Sequence, residues 1–199
     1  TAHTIRAWIT WKDEMSPGFQ ETLQASLDRA MQILMEQQQA DGSWIPLWFG
    51  NQFAPEQENP LVGTTRVLKA ICRVGFEHKF REGWSDCGLR GVQWLLAHQA
   101  PSGGFRAAES CEPSVEETGL AVELLQEVVV ASPWALDAKL RSTCQRAIDA
   151  GVRWLLEVTQ EGLVFPTAPI GLYFAKLWYF ERLYPVIFAL AAWDRVASA

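Results

Sequence analysis

The stretch RAMQILMEQQQADGSW, residues 29–44, carries the pattern that decides the fold. Its apolar residues recur at helical spacing, and Asp41-Gly42 then ends the helix, because glycine readily adopts the positive φ found beyond a helix C-terminus. The segments RGVQWLLAHQAPSGGF (90–105) and AGVRWLLEVTQEGLVF (150–165) have the same layout. The closing aromatic residues Trp44, Phe105 and Phe165 are 61 and 60 residues apart. This regular spacing indicates a repeat.

Each repeat is predicted to be a pair of helices. Second helices are expected over about Leu61–Val74, after Pro113, and over Tyr173–Val196, the last of them bent at Pro185 because proline removes an interior hydrogen bond. Residues 1–17 are predicted to form an N-terminal helix and linker, and residues 18–199 three helix-pair repeats. The sequence therefore predicts an all-α fold.

Glutamine and aromatic residues at fixed positions indicate a structural clasp between neighbouring repeats. A glutamine in the last turn of one helix can bond the free amide groups that open the next element, using both its donor and its acceptor. The aromatic residue after the glycine can then shield those bonds from water. We expect the clasp residues to be Gln38, Trp44, Gln99, Phe105 and Phe165.

Composition excludes several classes of function. Hydrophobic residues make up 49% of the 199 residues, and the net charge of −6 with no Lys/Arg cluster argues against nucleic acid as a partner. No apolar run reaches the roughly 18 residues of a spanning helix. The four cysteines are widely separated, so we expect reduced thiols in a cytoplasmic protein that can associate peripherally with a membrane. Neither a metal site nor a cofactor is expected.

The repeat of Gln followed by Gly-x-Trp/Phe resembles the QW motif of the triterpene cyclases, the squalene-hopene and oxidosqualene cyclases. The closing stretch APIGLYFAKLWYFERLYPVIFALAA is similar to that family's last inner helix. The resemblance covers residues 18–196 and corresponds to the family's C-terminal part. It implies an α/α toroid, of which this chain supplies about half of a six-pair barrel (a partial α6/α6 barrel).

The resemblance also implies a reaction and its partners. Class II terpene cyclases are isomerases that protonate a polyprenyl chain with an aspartate of an Asp-x-Asp-Asp motif, and all seven aspartates here are isolated from one another. The chain is therefore expected to supply cavity walls, to lack the catalytic acid and to be inactive alone. Its expected partners are an isoprenoid or triterpene-type apolar ligand and either the rest of the cyclase or a second copy that completes the barrel.

The resemblance implies three residues that face the substrate cavity: Phe105, Tyr173 and Phe180. Aromatic faces of this kind stabilise carbocations by cation–π attraction. Pro169 and Leu177 stand where the family has aromatic residues, so two such contacts are missing. The third QW motif is degenerate, since its glutamine is displaced by one position.

Other interpretations of the same residues are open. Ser114 and Glu117 have capping-box spacing, and Glu116 is expected to be solvated, although either carboxylate could face a cavity. The chain could be a non-catalytic repeat module that binds protein or lipid. Asp86-Cys87 resembles zinc ligands of protein prenyltransferase β subunits, which share the toroid, but the spacing differs.

Overall fold

The chain was analysed as a computed structural model that describes residues 1–77, 83–131, 136–172 and 176–199. Within these ranges it forms helices and a small sheet. The helices are α1 (Ala2–Trp11), α2 (Pro17–Glu36), α3 (Pro60–Glu77), α4 (Trp84–Ala97), α5 (Val115–Ala131), α6 (Ala138–Val158) and α7 (Leu183–Ala197). The strands are β1 (Phe49–Gly50), β2 (Pro169–Leu172) and β3 (Leu177–Phe180).

The helices form two layers of an arc. In the inner layer α1 packs against α3, α3 against α5, and α5 against α7. In the outer layer α2 packs on α1, α4 on α3 and α6 on α5. Inner and outer helices alternate along the chain, which is the connectivity of an α/α toroid. The predicted all-α toroid fold is confirmed.

Local sequence explains where several helices begin. Pro17 is at the first position of α2, where its missing N–H costs no hydrogen bond. Asp137 caps α6 by accepting a hydrogen bond from the Leu140 N–H at 2.6 Å. Ser114 precedes α5, and its hydroxyl accepts from the Glu117 N–H at 3.1 Å. The prediction that Ser114 caps α5 is therefore confirmed.

One hydrophobic core joins both layers. It includes Ile5 and Ile9 of α1 together with Trp44, Phe105 and residues from the other helices. Helix α1 is thus packed as the first inner helix of the arc. In the described part of the chain no helix is both long and apolar enough to cross a membrane.

The predicted helix over Tyr173–Val196 is wrong in its first part. Residues 169–180 contain a hairpin of β2 and β3, in which Pro169 pairs with Phe180 and Leu172 with Leu177. A Cβ on Gly171 would lie 2.0 Å from the backbone oxygen of Leu177, so glycine permits the close approach of the two strands. The aromatic run that suggested a helix equally suits a strand.

The expected bend at Pro185 is also absent. Helix α7 begins only at Leu183, so Pro185 lies in its first turn, where a backbone N–H would have no helical partner. Proline at this position is compatible with a regular helix.

Strand β1 completes the small sheet. It pairs antiparallel with β2, with Phe49 opposite Leu172.

Candidate functional site

An open cleft of about 510 Å³ lies where the segments leading into α5 and the hairpin meet the end of α6. Its walls come from residues 110–115, residues 166–169, Trp154 and Val158 of α6, and Asn51 and Phe53 after β1. The inner helix α5 begins at the wall of this cleft. The cleft therefore lies next to the first turn of α5.

Two consecutive glutamates of that first turn are buried. Glu117 accepts hydrogen bonds on Oε1 from the side-chain amides of Asn59 (2.9 Å) and Asn51 (3.3 Å), and on Oε2 from the Ser114 hydroxyl (2.9 Å). These bonds tie the loop after β1, the start of α3 and the start of α5 to one carboxyl group. The network holds the cleft wall in place.

Glu116 has a different environment. It is only 5% exposed, so the expectation that it is solvated is wrong. Its Oε1 accepts from the Ala168 N–H at 2.9 Å, next to the hairpin, while its buried Oε2 has no hydrogen-bond partner. An unpaired buried acceptor costs free energy unless the carboxyl group is protonated or a ligand contacts it.

Burial changes the acidity of both groups. Burial raises the pKa of Glu117 to about 7, against the opposing effect of its hydrogen bonds from Ser114 and the two asparagines. Burial also raises the pKa of Glu116. In the described ranges neither carboxyl group forms an ion pair with a lysine or arginine. Glu117 therefore holds a proton readily up to near neutral pH.

A carboxyl group of this kind is a weak acid. Protonating an isolated alkene needs a much stronger acid, so the glutamate pair is unsuited to that step. It can instead hold the loops that border the cleft or accept a proton.

Asn59 was not singled out in the sequence analysis, although its position before Pro60 signals a helix cap. Its Oδ1 indeed accepts a hydrogen bond from the Val62 N–H at 3.2 Å.

The predicted clasp glutamines both reach the next repeat. Gln38 donates through Nε2 to the carbonyl oxygens of Gly42 and Cys87, each at 2.9 Å. Gln99 donates to the carbonyl oxygens of Gly103 and Ala147, each at 2.8 Å. Cys87 is in α4 and Ala147 in α6, so each glutamine joins the end of one outer helix to the next. Both glutamines thus donate to carbonyl groups, and neither bonds the free amide groups expected from the sequence. The acceptor of Gln38, its Oε1, receives a hydrogen bond from the Arg90 guanidinium of α4.

The clasp aromatic residues are buried beside these contacts. Trp44 donates from its indole Nε1 to the Leu34 carbonyl oxygen at 2.6 Å. Its ring packs closely against Gly91 of α4, where a Cβ would lie only 2.8 Å from the ring. The backbone N–H of Phe105 donates to the Thr118 hydroxyl at 2.8 Å. Each of these residues thus contacts an inner helix or the following outer helix.

The degenerate third unit differs as its sequence suggests. Thr159 occupies the position equivalent to Gln38 and Gln99. Its hydroxyl donates to the Leu155 carbonyl oxygen in the last turn of α6 and does not reach another helix. The displaced Gln160 is exposed and has a positive φ of 51°. Phe165 is half-buried, and its ring lies 6.3 Å from that of Trp193 in α7.

Of the three residues expected to face a substrate cavity, the two that the structure describes lie in different environments. Phe105 has no exposed surface and is fully enclosed by the core, so it presents no face to a ligand. Phe180 lies on β3, not on an inner helix, and is 56% exposed. Tyr173 lies outside the described residues.

The described residues contain no group of three or more His, Cys, Asp or Glu side chains arranged to hold a metal ion. Burial raises the pKa of the Cys87 thiol to about 11. All four cysteines are free and buried. Asp86 and Cys87 belong to no group of three or more possible ligands in the described ranges.

Comparison with known proteins identifies the family. The sequence profile of the squalene-hopene cyclase C-terminal domain matches residues 14–198. The chain belongs to this family. The resemblance to the C-terminal part of a class II terpene cyclase is therefore confirmed.

Individual proteins are similar to this chain in sequence or in fold. This chain is 26% identical over 169 residues to enfumafungin synthase efuA of Hormonema carpetanum, a match that covers 84% of this chain and 11% of that protein. Its fold is similar to that of ent-copalyl diphosphate synthase from Streptomyces platensis, with a TM-score of 0.69 and 19% identity. That match covers all of this chain and 33% of the other. The domain thus spans a small part of each relative.

Proposed function

We propose that this domain is a wall section of a class II terpene cyclase, an isomerase that folds a polyprenyl or squalene-type substrate and starts cyclisation by protonation. The observation that carries the proposal is the arc of alternating inner and outer helices in a chain of the squalene-hopene cyclase C-terminal domain family. The catalytic aspartate would come from elsewhere in the enzyme, since no Asp-x-Asp-Asp motif occurs in the 199 residues.

An exposed edge of the arc supports completion of the toroid by further helices. Leu183, Ile187 and Leu190 recur at helical spacing along α7 and are each more than half exposed. Such an apolar stripe is typical of a helix that packs against a neighbour. We propose that the rest of the cyclase covers it; a second copy of this chain is the alternative occupant.

Exposed side chains also support contact with an apolar ligand or a membrane. The segment before and after β1 exposes Leu47, Trp48 and Phe53, at 75%, 57% and 62%. Aromatic and aliphatic residues of this kind partition into the membrane interface. We propose peripheral membrane association through this segment; sedimentation with neutral phospholipid vesicles, reduced in a Trp48→Ser variant, would support it.

The proposal is tested by incubating the purified domain with squalene in detergent and analysing the extract by gas chromatography and mass spectrometry. We expect quenching of tryptophan fluorescence by squalene and no cyclic product. The parent reading frame should encode an Asp-x-Asp-Asp motif upstream of these residues. A cyclic product that is lost in Glu116→Gln would place the acid in this chain and overturn the wall-section proposal.

The alternative is a non-catalytic repeat module that binds protein or lipid. The same reading frame separates the two functions, because a module of that kind would lack the Asp-x-Asp-Asp motif. Absence of that motif together with failure of squalene to quench tryptophan fluorescence would favour the module.

A further inference from the structure

The open cleft beside the first turn of α5 has the dimensions of a small-molecule site. Its volume of about 510 Å³ lies within the range of roughly 300–1,000 Å³ that is typical of ligand pockets. Two aromatic side chains line it, the exposed Phe53 and the half-buried Trp154. The Trp154 ring is packed against Gly104, where a Cβ would lie 2.7 Å from it. The cleft therefore offers aromatic ring surface to a ligand.

The charge of the cleft wall is negative. Glu112 is exposed and is the one charged side chain among the described residues that line the cleft. In the part of the chain that the structure describes it forms no ion pair with a lysine or arginine. The carboxyl groups of Glu116 and Glu117 lie behind the wall, and Glu117 is joined to it by the Ser114 hydroxyl, 2.9 Å from Oε2. Such a wall favours a positively charged ligand.

The thiol of Cys111, which lines the cleft, responds to the same charge. Burial and then the charge of Glu117 raise the pKa of this thiol. Arg106 acts in the opposite direction, but its effect is the smallest of those that shift the pKa of Cys111. The nearby arginine therefore does not reverse the negative potential at the wall.

Glu116 places an acceptor without a donor at this wall. Its Oε1 accepts from the Ala168 N–H at 2.9 Å, and Ala168 lines the cleft. The side chain is only 5% exposed, and its buried Oε2 has no hydrogen-bond partner. A buried acceptor of this kind is unfavourable until a proton or a positive charge offsets it. A cation bound in the cleft would supply that charge.

We propose that the cleft binds an alkylammonium ion, that is, a positive charge carried on an apolar body. The charge would pair with Glu112 and lie over the rings of Phe53 and Trp154, whose π faces attract cations. Val115 and Val158 also line the cleft and would contact the apolar body. The site requires neither squalene nor a completed toroid, so it is independent of the proposed wall function.

Isothermal titration calorimetry of the purified chain with octylammonium chloride, below its micelle concentration, tests the site. Octanol keeps the apolar body without the charge, and octanoate reverses the charge. We expect saturable binding of octylammonium, binding of octanol that is weaker by roughly threefold or more, and still weaker binding of octanoate. No binding of octylammonium at millimolar concentration, or equally tight binding of octanol, would overturn the proposal.

Substitutions of glutamate test whether the ion lies in the cleft. Glu112→Gln should weaken octylammonium binding by roughly two- to fivefold, as expected for the loss of an exposed ion pair. Glu116→Gln should weaken it at least as much, because a buried charge is screened less by salt. Glu109→Gln, exposed on the same loop but outside the cleft wall, is the matched control. Equal loss in Glu109→Gln would indicate general attraction of cations to an acidic protein and contradict the site.

A substitution of phenylalanine tests the aromatic part of the site. Phe53→Ser should weaken octylammonium binding by roughly threefold or more, because it removes a ring face and apolar surface. Phe19→Ser, exposed on α2 and outside the cleft wall, is the matched control. Circular dichroism checks that each variant is folded. Equally tight binding to the two variants would show that the ion does not lie over the rings, and the proposal would fail.

Lipid vesicles distinguish the two sources of an ammonium group, a free amine and a lipid headgroup. Weaker sedimentation of Glu112→Gln than of Glu109→Gln with phosphatidylcholine vesicles would indicate the choline headgroup of a lipid. Equal sedimentation of the two variants, with octylammonium still binding more weakly to Glu112→Gln, would indicate a free amine. Failure of octylammonium to bind would overturn the site without affecting the wall-section proposal, which is tested with squalene.

Discussion

The side chain of Gln99 donates a hydrogen bond to the main-chain carbonyl oxygen of Ala147, 48 residues further along the chain, at 2.8 Å. The same amide nitrogen also donates to Gly103 in its own turn. One side chain thus joins the end of α4 to the middle of α6. Gln38 repeats the arrangement between the end of α2 and α4.

Loss of this link should destabilise the arc. Gln99→Ala leaves two carbonyl groups without their donor, and we expect the free energy of unfolding to fall by about 1–3 kcal/mol. Urea denaturation followed by circular dichroism measures the change. Gln160→Ala is the matched control, because this glutamine is exposed. Position 160 has a positive φ, but glutamine and alanine both carry a Cβ there, so the substitution does not change the backbone strain. Equal effects of the two substitutions would argue against the clasp.

Trp44 should contribute more than the glutamines. It is almost completely buried, and Trp44→Ala is expected to cost about 3–5 kcal/mol through the cavity that it leaves. Trp44→Phe keeps most of the packing but loses the bond to Leu34, so its cost should be smaller. Trp48→Ala, at an exposed position, is the control for thermal denaturation. A melting temperature that barely moves in Trp44→Ala would refute the clasp role.

Gly103 is required by its backbone conformation and by its neighbour. Its φ is 99°, and a Cβ would lie 2.7 Å from the Ala150 carbonyl oxygen. Gly103→Ala should therefore lower stability by about 2 kcal/mol or more. Gly18→Ala in the first turn of α2 meets no atom within 4 Å and should be neutral or stabilising by up to about 1 kcal/mol. A similar loss of stability in both variants would contradict this interpretation.

Stability should depend on pH through Glu117. Its folded-state pKa of about 7 lies above the ordinary value of 4.5, so its contribution is present below pH 4.5 and is lost as the pH rises towards 7. Glu116, the carboxyl group that adds to the shift, acts in the same direction. The decline should be on the order of 3 kcal/mol, from 1.36 kcal/mol per pKa unit.

The test is the pH profile of the free energy of unfolding for Glu117→Gln, which mimics the protonated carboxyl group. We expect the variant to match the parent chain near pH 4.5 and to be the more stable of the two at pH 8. Glu109→Gln, at an exposed position, should follow the parent profile. Profiles of Glu117→Gln and the parent chain that run parallel would show that Glu117 does not titrate in this range.

Patterns local to the chain were enough to predict the helices. The repeat spacing, the glycine stops and the helical periodicity predicted the helices that now appear as α2 to α6, because these features depend on neighbours within a few turns. The same periodicity failed in the first part of the predicted helix Tyr173–Val196, where Leu177–Phe180 form strand β3. There an aromatic-rich segment suited either helix or strand, and the contact of Gly171 with Leu177 selects the hairpin.

The sequence by itself determined the family, the toroid architecture and the positions of the clasp residues, since each follows from a local motif or from a repeat. Only the tertiary structure decided the partners of side chains that meet across long separations. Glu117 is buried because Asn51 and Asn59 approach it from more than fifty residues away, and Gln99 reaches Ala147 because α4 and α6 are neighbouring outer helices. Burial and electrostatic potential depend on distance in space, and that distance is set by how the helices pack.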